Sequence, residues 1–331
     1  MSTMKAVWFE ETGSAEDVLK VGARCLKEPG EGEVLVKLYA SAVNPSDVKK
    51  RAGAQPPGFE EGYVIPHSDG AGVIESVGSG VSSERVGQRV WVYQAQFGRN
   101  CGTAAQYVCL PSPMAAPLPE NTDFEVGACM GIPAMTAHRC VFNMGDPAGK
   151  TLLVTGASGR VGYYAAQWAT LAGARVIGTA GSDERCIVAA QTGADEILNY
   201  RSEILTQRIE DITKGEGVDH IVDVEFGVNA QISAAVLKNG GTISTYSSSL
   251  APEPVIPFYP MMFKNITLNM VLVYNMPDSA KQKARDDIYD ALENSRLKHR
   301  IAETWALEQT AKAHGSIEAG GCDGCVVVTI D

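Results

Sequence analysis

The sequence predicts an α/β chain in which a β-rich part precedes a doubly wound parallel sheet. Three observations carry that expectation. Residues 4–120 hold short apolar stretches separated by turns, and beyond about residue 121 strand-like and helix-like patterns alternate. Within that alternation, Leu152-Leu153-Val154 breaks into Thr155-Gly156-Ala157-Ser158-Gly159-Arg160-Val161-Gly162 and resumes as an apolar run at helical spacing. That is a strand, a tight turn and a helix start.

Taken in order, strands are expected over 6–9, 33–42, 70–77, 89–93 and 105–109, punctuated by Gly30-Glu31-Gly32 and Gly78-Ser79-Gly80. Residues 124–142 show helical spacing. Strands over 151–155, 175–179, 196–199, 218–224 and 241–246 then alternate with helices over 161–171, 183–191, 204–213 and 230–237. Such β-α-β-α order implies a parallel sheet with right-handed crossovers. A helix over 287–298 and a closing strand over 325–330 end the chain. There is no internal repeat and no low-complexity linker.

Composition narrows the class. With 331 residues, 45% of them hydrophobic, the chain can fill two cores. It contains no uninterrupted apolar span of transmembrane length, and the N-terminus runs into a strand pattern without a signal-peptide layout. Eight cysteines at irregular intervals fit reduced thiols in a cytoplasmic enzyme better than a disulfide framework. The excess of 39 acidic over 28 basic residues gives a net charge of −11, which disfavours nucleic acid and anionic membranes. Positive charge for a phosphate ligand must therefore be local.

The glycine turn supplies part of it. A helix start leaves N–H groups without intrahelical acceptors at the positive end of the dipole, which suits a pyrophosphate. An NAD-binding unit places an acidic residue about 20 residues on, at the end of the second strand, to bond the ribose hydroxyls. Here that strand ends in Gly178-Thr179-Ala180-Gly181-Ser182 without a carboxylate. Asp183 and Glu184 come later and open the next helix, while Ser182 and Arg185 suit a 2′-phosphate. The expected cofactor is NADPH.

With those residues in view, the chain resembles the zinc-independent quinone oxidoreductase (zeta-crystallin-like) family of the medium-chain dehydrogenase/reductase superfamily over nearly its whole length. The landmarks are Asn44-Pro45-Ser46-Asp47, Ile65-Pro66-His67-Ser68-Asp69-Gly70, Gly131-Ile132-Pro133-Ala134-Met135-Thr136, the glycine turn, Gly193-Ala194 and Asn199-Tyr200. The resemblance implies a GroES-like catalytic domain from residues 1–121 and 267–331, a Rossmann NADPH-binding domain from 122–266, and a homodimer. It also implies a cofactor-facing set. Asn44 and Thr136 face the nicotinamide, and Gly156, Ala157, Ser158, Gly159, Arg160, Val161 and Gly162 form the phosphate turn. Thr179, Ser182, Arg185 and Tyr200 lie on the adenosine side, with Ser247 and Val273 completing the set. Relatives carry a basic residue near the C-terminal turn, where this chain has Ala319-Gly320-Gly321.

Zinc-dependent relatives have a cysteine where this chain has Asn44, and a His-Glu pair where it has Ser68-Asp69, with His67 displaced by one residue. One shifted histidine cannot build a three-ligand site, and the lone Cys322/Cys325 pair is poor evidence for zinc, so no metal is expected. Without a Lewis acid, reduction of a conjugated acceptor is easier to arrange than alcohol oxidation. The expected activity is hydride transfer from NADPH to quinones or α,β-unsaturated carbonyl compounds. Asn44 and Lys49 are the candidate catalytic side chains, although Lys49-Lys50-Arg51 also reads as a solvated charge run. Tyr63, Tyr93 and Tyr274 are candidate substrate contacts. The alternatives are an enoyl-thioester reductase and a non-enzymatic NADPH- or RNA-binding protein.

Overall fold

A computed structural model describes residues 2–54, 61–320 and 322–331, which pack as two units. The first contains Met1–Ile132 and Arg285–Asp331, the second Pro133–Ala284. Gly321 falls outside the described residues.

In the first unit, strands β1 (Thr3–Trp8) and β2 (Lys20–Cys25) form an antiparallel pair. The long β3 (Glu33–Val43) pairs with β4 (Asp69–Val77), followed by β5 (Arg89–Val92), β6 (Tyr107–Pro111) and β7 (Ala115–Pro117). β3 alternates less than a half-exposed strand would: beside Val34, Val36, Leu38, Ala40 and Ala42 on one alternation, Leu35, Ser41 and Val43 on the other are buried too. One core joins these strands to the end of the chain through Val326, Val328 and Ile330.

The second unit holds six parallel strands: β8 (Thr151–Val154), β9 (Arg175–Ala180), β10 (Glu196–Asn199), β11 (Val218–Asp223), β12 (Leu237–Thr245) and β13 (Thr267–Met270). Their order across the sheet is β10-β9-β8-β11-β12-β13. Renumbered within the unit this is 3-2-1-4-5-6, the doubly wound dinucleotide-binding order. The chain then returns to the first unit with β14 (Ile301–Ala306) and β15 (Cys325–Thr329), the latter pairing with β3.

Two expectations are corrected, both on helices. The units divide at 132/133 and 284/285, where the sequence reading places boundaries at 121/122 and 266/267. β13 is the edge strand of the parallel sheet, so 267–284 belongs to the second unit. The helix Phe124–Gly127 belongs to the first unit, because it packs on β3 and β4 and Phe124 stacks on Tyr39 with centroids 4.8 Å apart. The single helix expected over 124–142 is broken into Phe124–Gly127, a π-helical turn at Met130–Ala134 and the helix Met135–Phe142. Pro133 removes a donor from that turn. The C-terminal helix runs Asp278–Glu293 rather than 287–298, and the sequence reading missed β2, β7, β13, β14 and the helix Thr310–Ala319.

Candidate functional site

In the second unit the expected cofactor residues follow the carboxyl ends of the parallel strands. The turn Gly156–Gly162 follows β8, Ser182 and Arg185 follow β9, Tyr200 follows β10, Ser247 follows β12 and Val273 follows β13. Ligands bind at this edge of a doubly wound sheet. The turn is held from below: Ala157 N–H donates to the Thr179 carbonyl (2.8 Å) and Gly156 N–H to Thr179 Oγ1 (3.3 Å). Thr179 is thus the strap of the turn. Gly156 has φ +65°, and a Cβ on Gly162 would lie 2.2 Å from the Gly156 carbonyl oxygen, so both positions require glycine. That close approach leaves a cradle at the start of the helix Arg160–Leu171, which Gly159 caps and where Ser158 is buried. The half-buried Arg160 and Val161 form the first turn of that helix.

On the adenosine side, Ser182 caps the helix Asp183–Ala190 by accepting the Arg185 N–H at 3.3 Å. The half-exposed Tyr200 folds over Gly181, where an added Cβ would come within 2.4 Å of its hydroxyl. Tyr200 thus lies beside the residue that precedes Ser182, and Arg185 is in the first turn of the helix that Ser182 caps. The buried Thr136 lies on the helix Met135–Phe142, which packs against the turn Val273–Asn275 that carries the buried Val273 and the half-buried Tyr274. Ser247 accepts the Phe226 N–H through its carbonyl (3.0 Å), while its hydroxyl meets Ser249 (3.1 Å).

Asp223, at the end of β11, escaped the sequence reading. Fully buried, its Oδ1 accepts from Thr155 Oγ1 (2.8 Å), Asn229 Nδ2 (2.7 Å) and the Glu225 N–H (3.1 Å), tying the root of the phosphate turn to the neighbouring strand. A carboxylate ending a strand that precedes an apolar helix was its only signal.

In the first unit, Asn44 caps the helix Pro45–Arg51 and is 2% exposed. Its N–H donates to Asp47 Oδ2 (2.7 Å) and its Nδ2 to Asp69 Oδ2 (2.8 Å), which also accepts the Ile132 N–H (2.7 Å). Asp47 additionally accepts from the Ser68 backbone. Two buried carboxyls thus join three of the landmark segments. Burial pushes Asp47 up to about 7 and Asp69 well above the usual carboxylate range, outweighing the hydrogen bonds that favour their charged forms. A Cβ on Gly131 would meet Asp69 Oδ1 at 2.0 Å, which explains the glycine there.

His67, the displaced histidine, is buried with φ +75°. Thr103 Oγ1 donates to the Asp69 carbonyl (2.7 Å), so Ser41 donates to Thr103 (2.7 Å) and His67 Nδ1–H donates to Ser41 Oγ (2.8 Å). His67 Nε2 is then bare and accepts from His314 Nε2–H at 2.9 Å. Both ring nitrogens are used for scaffolding, and burial depresses the imidazole to about 3.

The other first-unit candidates separate. Lys49 is exposed on its helix, without the burial that a role as acid calls on, while Lys50 Nζ donates to Gln96 (2.8 Å). Arg51 departs from the expected solvated run: 1% exposed, it bonds Glu318 and the Gly13 carbonyl. Tyr93 is a scaffold residue. It is buried, its hydroxyl donates to the Pro113 carbonyl (2.9 Å), and it accepts from Arg285 (2.8 Å). Tyr63 lies under the Arg24 guanidinium (4.3 Å) and lines a cavity of about 460 Å³ with Lys27, Glu61 and Cys101, apart from Asn44 and Lys49.

Residues 30–120 match the alcohol dehydrogenase GroES-like domain family, and residues 161–293 match the zinc-binding dehydrogenase family. The human protein named quinone oxidoreductase is 32% identical over 333 residues, covering 99% of this chain and 98% of that protein. Among solved structures, a mycobacterial protein complexed with NADPH superposes with a TM-score of 0.86 at 27% identity, covering 99% of this chain and all of that one. An NAD-dependent alcohol dehydrogenase gives a TM-score of 0.89 at 30% identity, with the same coverage of both chains.

Proposed function

We infer the activity from one premise: this chain belongs to the quinone oxidoreductase family of the medium-chain dehydrogenases and reductases. It is an NADPH-dependent oxidoreductase that reduces quinones. We propose that α,β-unsaturated carbonyl compounds are accepted as well, because their reduction likewise develops charge on a conjugated oxygen.

The observation that carries the reading is the cradle at the strand ends. NADPH supplies the hydride when bound. Gly156 and Gly162 let the backbone approach its pyrophosphate, and the helix Arg160–Leu171 directs its N-terminus there. Ser182 and Arg185 hold the 2′-phosphate and Tyr200 lies along the adenosine. Thr136, Ser247, Val273 and Tyr274 shape the nicotinamide side. Asn44 keeps its segment in register through Asp47 and Asp69, and water delivers the proton to the reduced oxygen. No metal takes part in the proposed reaction. Asn44 and Asp69, which occupy positions of zinc ligands in metal-dependent relatives, bond each other instead.

The test is steady-state kinetics with NADPH and NADH against 1,4-benzoquinone, simple enones and crotonyl-CoA. NADPH with the quinone should give the highest kcat/KM. Arg185→Ala should lower the NADPH/NADH preference about tenfold to a hundredfold, the worth of a charge-assisted hydrogen bond. Faster turnover of crotonyl-CoA than of any quinone or enone would overturn the substrate assignment, and stoichiometric zinc in active enzyme would overturn the metal-free mechanism.

We further propose a cytoplasmic homodimer. The helix Phe258–Phe263 exposes Phe258, Tyr259 and Phe263, whose rings meet one another, and the end of the edge strand β13 exposes Met270 and, just beyond it, Leu272, apolar surface of the kind a second copy covers. All eight cysteines are free thiols, and no helix among the described residues is long and apolar enough to cross a membrane. Sedimentation should give a dimer that Phe263→Asp dissociates.

A further inference from the structure

The helix Asp183–Ala190 begins with two acidic residues, Asp183 and Glu184, directly beside Ser182. A carboxylate in a first turn is favourable to the helix dipole, but it repels a phosphate dianion seated on the same turn. The structure shows where one of these charges is kept. Asn199, at the carboxyl end of β10, donates from Nδ2 to Asp183 Oδ1 at 2.8 Å. The carboxamide makes a second bond, its Oδ1 accepting the Arg201 N–H (3.1 Å), and the backbone of the same residue is held by its N–H donating to Glu203 (2.8 Å). Glu203 is itself paired with Arg208 at 2.8 Å.

We propose that Asn199 is a specificity-determining positioning residue, which holds the Asp183 carboxylate on the β10 side and so keeps it off the 2′-phosphate seat at Ser182 and Arg185. The proposal rests on the assignment of that seat. Residues 199 and 200 then have complementary tasks, since Tyr200 covers Gly181 while its neighbour restrains the charge two residues further on.

A carboxylate freed to come within roughly 6 Å of a dianion in water weakens its binding by about tenfold, and salt screens the effect. The experiment measures the NADPH/NADH ratio of kcat/KM at low and high salt with one quinone. The variants are Asn199→Leu, Asp183→Asn, their combination and Arg185→Ala. Asn199→Leu should lower the ratio about tenfold at low salt and less at high salt. Adding Asp183→Asn should restore it, which loss of a merely structural residue would not allow. An unchanged ratio in Asn199→Leu, or a double variant as impaired as Asn199→Leu alone, overturns the proposal. Arg185→Ala separates the two levels: if it leaves the ratio unchanged, the phosphate seat itself is wrong and the proposal falls with it. If only Arg185→Ala lowers the ratio, the seat stands and the tether is refuted.

Discussion

Replacing His220 with glutamine should make the protein less sensitive to acid. His220 is fully buried on β11, with its Nε2 2.8 Å from Ser244 Oγ on β12. Ser244 Oγ donates to Asn143 Oδ1 (3.0 Å), so its proton is spent and His220 must donate to it from Nε2. Nδ1 is left as a bare acceptor, buried and without a protein partner among the described residues. Protonation would place an unsolvated N–H and a full charge there. Burial, aided by the Lys150 charge, accordingly depresses the imidazole from 6.5 to about 3. Below the unfolded value the unfolded chain binds a proton that the native chain refuses. The contribution is therefore intact above about pH 6.5 and lost as pH falls through it. Between pH 7.5 and 5.0 that loss is about 2 kcal/mol for this one residue. The raised Asp47 works in the opposite sense, adding stability as pH falls from about 7 towards 3.8, but it is common to both proteins and cancels in the comparison. Urea unfolding at the two pH values should show the stability gap between wild type and His220→Gln narrowing by about 2 kcal/mol at the lower pH. A gap of constant size would refute the linkage.

Three further predictions follow from named contacts. Gly162→Ala should raise the Kd for NADPH about tenfold or more, because overpacking costs about 1–3 kcal/mol and the obstructing atom is the Gly156 carbonyl oxygen; fluorescence titration reads it, and unchanged affinity would remove the close-approach argument. Asp69→Leu should destabilise the protein by about 2–4 kcal/mol, since the Asn44 and Ile132 donors lose their acceptor, while Asp69→Asn keeps one and costs much less. Equal losses in both would mean that the charge, not the hydrogen bonding, matters. Tyr93→Phe should lower stability by about 1 kcal/mol and leave kcat/KM for quinones unaltered; a fall in kcat/KM would restore Tyr93 as a substrate contact.

The second unit was the more legible half, and the reason lies in the kind of signal each half carries. Around Gly156–Gly162 the constraint is local: a turn, a close approach and a helix start are all written within a dozen residues. The edge strand β13 was missed because Thr267-Leu268-Asn269-Met270 is short and has no neighbour on one side, so it lacks the buried run of a central strand. Arg51 defeated charge patterning for a related reason. Its partners, Gly13 and Glu318, lie 38 positions before it and 267 after it, and no window along the chain contains them. Tyr93 and Tyr63 show the same limit, since a tyrosine on a cleft and a tyrosine anchoring a loop share one amphipathic pattern.

The carboxyls of the first unit extend that argument to chemistry. A stretch reading Asn-Pro-Ser-Asp suggests a turn, and one reading His-Ser-Asp-Gly suggests a degraded metal site. Neither alone indicates that Asp47 bonds Ser68 and that Asp69 bonds Asn44 and Ile132. Once joined, the pattern has a physical logic. A zinc ion would organise three segments by coordinating one side chain from each; here two buried carboxyls do so by accepting hydrogen bonds. An Asn44→Cys, Ser68→His double variant would still have to displace these hydrogen bonds before binding zinc. Restoring ligand types should therefore yield a destabilised protein rather than a metal-dependent dehydrogenase.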